Sequence, residues 1–174
     1  MTHDVDEPGD DADWNYRARH ETPMARLDRN WDDLLQELRV AQTGVQLLTG
    51  LLLTVPFQAR FDQLERQEIV VYLVTVGLAV LASGLLITPV VLHRVLFRQH
   101  ARRTLVSAGQ RFALAGFATL GLAVVGVCTL IVDVVLGVAA GVAAAVVAAV
   151  VFVLLWAVVP VLLRRRAANE EEEA

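Results

Sequence analysis

The sequence predicts an all-α protein: a four-helix transmembrane bundle with an N-terminal interfacial amphipathic helix. Three observations predict it. Residues 112–163 are a run of 52 in which Asp133 is the one acid and Cys128 the one other ionisable side chain, and the run ends in Arg164, Arg165 and Arg166. About 20 apolar residues at about 1.5 Å per residue cross a hydrocarbon layer of about 30 Å, so this run is two spans and a turn. Two further apolar stretches precede it, and a short charged loop at residues 58–68 separates them. Finally, the arginines are distributed unevenly between the connections.

The totals agree with this. The chain has 174 residues, 56% of them hydrophobic, and a mean hydropathy of +0.53, a modest mean because polar ends dilute a very apolar middle. This length fits one small membrane domain. All fifteen basic residues are Arg; with so much Ala and Val, this is the composition of a high-GC bacterium. The net charge of −4 comes from acids near the two ends, whereas the segments flanking the spans are basic. The single Cys128 leaves no internal disulfide or thiol-based metal site. The opening MTHDVDEPGDDAD is acidic and lacks the apolar stretch of a signal peptide, and it carries no lipidation motif.

The elements follow in order. Residues 1–21 hold too few large apolar groups to offset their ordering entropy and read as a disordered acidic tail. The membrane domain occupies residues 22–166. Thr22 is a favoured N-cap and Pro23 is tolerated in a first helical turn, so structure begins there. Leu27, Trp31, Leu34 and Leu38 then share one face of a helix that is otherwise charged. That pattern fits the water–lipid boundary, with Trp31 at headgroup level. The first span covers about residues 40–57 and ends near Pro56. Asp62 and Glu65 have the spacing of a capping box for the second span, about 69–88. Pro89 kinks or ends that helix. The third and fourth spans cover about 112–132 and 142–163, and 167–174 form an acidic C-terminal tail.

Topology follows from charge. With both termini and the long middle connection on one side, that side holds 13 arginines and the other only Arg60 and Arg66. The positive-inside rule makes the richer side cytoplasmic, so both termini are inside. Arg94, Arg98 and Arg102 are spaced to make one basic helical face. Together with Arg103, Arg164, Arg165 and Arg166 they are candidate contacts for anionic lipid. The bilayer accounts for these charges better than nucleic acid does.

Three constellations are candidates for function. Arg39, Gln42, Thr43, Gln46 and Thr49 fall within an arc of about 120° on the first span. Amides and hydroxyls in lipid need partners, so this stripe makes interhelical hydrogen bonds or lines a polar pathway. Asp133 is the acid of the longest run, and an intramembrane carboxylate is a candidate ion site. Span lengths put it at the outer turn, hydrated, ionised and dispensable. The small residues Gly137, Gly141, Ala140, Ala144 and Ala148 suit close packing, within the bundle or between copies. His93 and His100 have the wrong spacing for a metal, and no nucleophile–base set, P-loop or dinucleotide fingerprint is present. No cofactor and no catalytic residues are expected.

Residues 21–61 contain the blocks RLDRNW, DLLQELRV and QTGVQLLTG. In these the chain resembles the opening of an uncharacterised family of small actinobacterial four-span integral membrane proteins. Some members of that family carry a sodium:proton antiporter label. The resemblance covers about a quarter of the chain and implies a multi-pass protein of the bacterial cytoplasmic (inner) membrane; it transfers no functional residues. An antiporter needs a carboxylate near the midplane. Here Glu37 precedes the first span and Glu68 begins the second. The reading from sequence is a non-enzymatic accessory or scaffold protein that acts through helix contacts, with itself or another membrane protein, and through lipid. The alternative is a small oligomeric transporter or channel for cation or proton exchange.

Overall fold

The computed structural model describes residues 23–59, 61–96 and 102–172. The acidic N-terminal segment and Arg98 lie outside the described residues. The chain folds as α1 (Pro23–Thr54), α2 (Arg66–Leu96), α3 (Arg102–Leu136), α4 (Val138–Val153) and α5 (Val159–Glu172). A π turn, Leu154–Val158, joins α4 to α5 as one rod, since Leu154 and Val159 at its joints keep right-handed helical dihedrals. There are thus four long rods, each with a segment long and apolar enough to cross a membrane: Arg29–Phe57, Arg66–Leu92, Ser107–Leu136 and Val138–Arg166. Leu86 lies against Gly116 and Thr75 against Gly126, so α2 and α3 are antiparallel. Gln42 and Leu52 of α1 reach Leu86 and Tyr72 of α2, again antiparallel. The order is up-down-up-down. The start of α1, the end of α2, the start of α3 and the end of α5 therefore share one end of the bundle.

The packing has a 3.5-residue period. On α1 the buried residues are Trp31, Leu38, Val45 and Leu52, each seven apart, with Leu34, Ala41 and Leu48 between them. On α2 they are Tyr72, Thr75, Ala79, Ala82, Leu86 and Pro89. On α3 Gly109, Ala113, Gly116, Ala123 and Leu130, with the half-buried Leu120 and Val127 between them, continue the alternation of threes and fours. A strict seven-residue repeat keeps one stripe of each helix facing its neighbours and favours shallow, left-handed crossing. Two apolar clusters result, one around Leu38, Val45 and Leu86, the other around Leu52, Tyr72 and Ala123. Both are built by α1, α2 and α3 together. The fourth rod stands apart from this core. It packs on α3, where the Trp156 ring sits over Gly121, edge-on to Phe117 at 6.4 Å and to Phe152 at 4.8 Å. Along Val138–Arg166 every residue but Gly141 is exposed or half-buried, so a long apolar surface of this rod is left uncovered by the bundle.

Several sequence expectations shift. The amphipathic segment is no separate interfacial helix; it is the first turns of α1. Trp31 is 5% exposed and covers Gly109 of α3, where an added Cβ would stand 2.8 Å from the indole. The reason is length. At 32 residues α1 is about 48 Å long, so the three-helix core continues past the hydrocarbon and Trp31 packs within it rather than at the lipid boundary. The capping box sits one turn later than expected, with Glu68 Oε2 accepting from the Glu65 N–H at 2.7 Å. Pro89 lies inside α2 and is fully buried. Arg94 belongs to α2 and Arg102 opens α3, so the two are not on one helical face. The broad turn expected after Asp133 is a single residue. Gly137 has φ 87° and ψ 169°, a conformation nearly confined to glycine, and it reverses the chain between α3 and α4.

The close approach of α2 and α3 depends on glycine. A Cβ at Gly116 would stand 2.7 Å from a Leu86 methyl and 3.3 Å from its backbone N, whereas one at Gly84 meets open space. Gly116→Val should destabilise the purified protein by about 1–3 kcal/mol. Gly84→Val should stay within about 0.5 kcal/mol of the parent. Thermal unfolding in one detergent, measured side by side, checks both.

Candidate functional site

The polar stripe of α1 straddles the edge of its packed face. Gln42 and Thr49 are half-buried, whereas Arg39, Thr43 and Gln46 are exposed. The threonines are satisfied within α1: Thr43 Oγ1 donates to the Arg39 carbonyl at 3.1 Å and Thr49 Oγ1 to the Val45 carbonyl at 2.7 Å. Gln42 is the one that crosses to another helix. Its Nε2 donates to the Leu86 carbonyl of α2 at 2.9 Å. The stripe is therefore not brought together as one site. Its inner edge locks α1 to α2, and its outer edge faces away from the bundle.

The acceptor at Leu86 is the carbonyl next to the one that a proline frees. Pro89 has no N–H for the carbonyl of Leu85, and its ring crowds the preceding turn. In hydrocarbon a freed carbonyl is re-satisfied by a neighbouring helix, a hydroxyl side chain, water or a local change of helix type. Gln42 bonds the Leu86 carbonyl, one residue past the carbonyl of Leu85. A second example escaped the sequence reading. Pro56 has no N–H for the carbonyl of Leu52, and the Tyr72 hydroxyl donates to that carbonyl at 3.0 Å. Tyr72 is 4% exposed and its ring is edge-on to Phe61 at 5.6 Å, which closes the end of the core beside the 55–65 connection. A tyrosine within an apolar span, and a proline four residues after a leucine, were the available signals. Nothing in the sequence alone says that they meet.

Asp133 is in the last turn of α3, and its backbone carbonyl accepts the Gly137 N–H at 2.7 Å. Its side chain is 9% exposed, against the free access to water that span lengths implied. The one-residue reversal brings the fourth rod back at once, and a Cβ on Gly141 would stand 2.8 Å from the Asp133 Cβ. Cys128 is half-buried as a free thiol. Of the lipid-contact candidates, Arg94, Arg164, Arg165 and Arg166 are exposed at the end where α1 starts and α5 finishes. Arg102 and Arg103 begin α3 at that same end.

The Tyr72 bond has a specific test. Tyr72→Phe leaves the Leu52 carbonyl buried without its hydroxyl donor and should cost about 1–2 kcal/mol of stability. Pro56→Ala restores the missing backbone N–H. In that background the same Tyr72→Phe change should cost clearly less, and a double-mutant cycle on thermal stability measures the difference.

A family model matches residues 20–160 of the chain, and its description is that of a family of unknown function. No curated protein and no solved structure matches.

Proposed function

Since the chain belongs to that family, DUF6328, and membership brings no activity with it, we propose from the geometry that it is a non-enzymatic integral protein of the bacterial cytoplasmic membrane. It works as an accessory or scaffold through helix–helix and lipid contacts. The observation that carries this reading is the fate of the polar stripe. A pathway needs polar groups that line a continuous interior. Here Gln42 is paired with a backbone carbonyl between α1 and α2. Among the described residues the buried positions are otherwise apolar, apart from Thr75 and, in the last turn of α3, Asp133. Thr75 gives its own hydroxyl proton to the Val71 carbonyl at 2.7 Å. Such an interior supports contact rather than conduction.

The orientation proposed is N-in and C-in. Up-down-up-down packing puts the exposed Arg94, Arg111, Arg164, Arg165 and Arg166 at one end. The positive-inside rule makes that end cytoplasmic, where anionic headgroups attract it. High-GC, actinobacterial origin is part of the same reading and rests on the composition and the opening blocks of sequence.

Two measurements test it. In a Cys128→Ala background, Gln63→Cys should react with a membrane-impermeant maleimide from outside intact cells, and Ala108→Cys only after the membrane is opened. The reverse pattern overturns the orientation. Purified protein in sealed vesicles should give no proton or sodium flux above protein-free vesicles, and Asp133→Asn should change nothing. A flux that this substitution abolishes would replace the scaffold with the cation or proton exchanger.

A further inference from the structure

The outer edge of the α1 stripe presents a second seam. Gln36, Arg39, Thr43, Gln46, Gly50 and Leu53 succeed one another at intervals of three and four, the period that packs α1 into its own bundle, and all six are exposed. Gln46 is seven residues, about 10 Å, from Arg39 and eight residues, about 12 Å, from the end of α1 at Thr54. It is therefore near the middle of the hydrocarbon. Among the described residues nothing hydrogen-bonds its side chain, whereas its neighbour one turn earlier, Gln42, is bonded to Leu86. An amide facing acyl chains is costly, and polar side chains in a bilayer turn toward other helices. Beside it, a Cβ on Gly50 would meet nothing within 4 Å, so the seam has an open notch into which a second backbone fits.

We propose that this seam is where two copies of the chain meet, α1 against α1, in a parallel two-fold dimer. The proposal rests on the helix-contact reading above and deepens it by naming the surface and the partner. A second copy fits for three reasons. Both copies enter the membrane in the same orientation, so their Gln46 side chains stand at one depth. An amide carries both donor and acceptor, so across a two-fold axis each Gln46 gives one hydrogen bond to the other and receives one. The aqueous end is also self-complementary. Arg39 leans toward the N-terminal end of its helix, where Gln36 and Asp32 of the second copy offer acceptor oxygens. The lipid-facing fourth rod has no such polar group along Val138–Val153.

The test uses the full chain carrying Cys128→Ala. Gly50→Cys, which leaves Gln46 in place, should form an oxidative homodimer in native membranes. Val80→Cys and Val150→Cys, on the outer faces of α2 and α4, should not. Gln46→Leu, at an exposed position that leaves thermal unfolding unchanged, should weaken the dimer about sevenfold in dilution experiments in detergent, the loss of two hydrogen bonds of ordinary transmembrane strength. Cross-linking at Val80→Cys or Val150→Cys instead of Gly50→Cys overturns the proposal. So does an undiminished dimer in Gln46→Leu. A cross-link from Gly50→Cys to a different protein also overturns the second copy as occupant, while leaving the helix-contact reading intact.

Discussion

Hydrocarbon offers no hydrogen bonds, and the rest of this structure follows from that constraint. Three of its four rods carry a proline in or beside the membrane, and each proline removes a backbone donor that water would otherwise replace. The surroundings of the three differ. Behind Pro56 the Leu52 carbonyl takes the Tyr72 hydroxyl. Near Pro89 the Gln42 amide bonds the Leu86 carbonyl, next to the Leu85 carbonyl that the proline frees. Before Pro160 the chain widens into the π turn, with the Val159 N–H bonded to the Leu154 carbonyl. That turn precedes a ring that would crowd the carbonyl of Trp156. The Tyr72 and Gln42 hydrogen bonds tie α1 to α2 at two heights. They are polar contacts in a core otherwise held by packing.

Packing without a hydrophobic driving force needs close backbones. The seven-residue repeat on α1, α2 and α3 supplies the alignment, and the small residues Ala79, Ala82, Ala113, Gly116, Ala123 and Gly126 supply the proximity. The same arrangement explains why the fourth rod is peripheral. The inner stripe of α3 is filled by α1 and α2. What remains for the fourth rod is the notch at Gly121, which the Trp156 ring enters, and the backbone-to-backbone approach at Gly141. Its position in the π turn sets that ring. One irregular turn thus accommodates Pro160 and places the aromatic contact that holds the rod on α3.

Much of the architecture was legible in the sequence because its signals are local. Spans follow from apolar length, and the reversal between the last two follows from Asp133 and the glycines after it. What escaped depends on what stands opposite. Trp31 was legible as part of an apolar face. A face shows that a residue is covered without showing by what, and α3 rather than lipid covers it. Gln42 and Gln46 differ by about 40° around α1, too little to assign one inward and the other outward until α2 is in place. The short reversal at Gly137 was hidden for another reason. Composition marks a turn-prone region but not the single residue at which two helices can meet, and that residue decides how deeply Asp133 is covered.

The division of the stripe also bears on what kind of function this fold can host. A helix buried on both polar edges would be committed to the monomer, and a helix polar on one exposed face only would be read as a surface ornament. Helix α1 is neither. Its inner amide is engaged by the Leu86 carbonyl of α2, a contact that exists only once the two helices are packed together. Its outer amide lies one turn further along on the same rigid rod. The folded bundle therefore holds the outer seam at a fixed depth and rotation before any partner arrives. That is the preorganisation a contact surface in a membrane requires, since little ordering of α1 is left for association to impose.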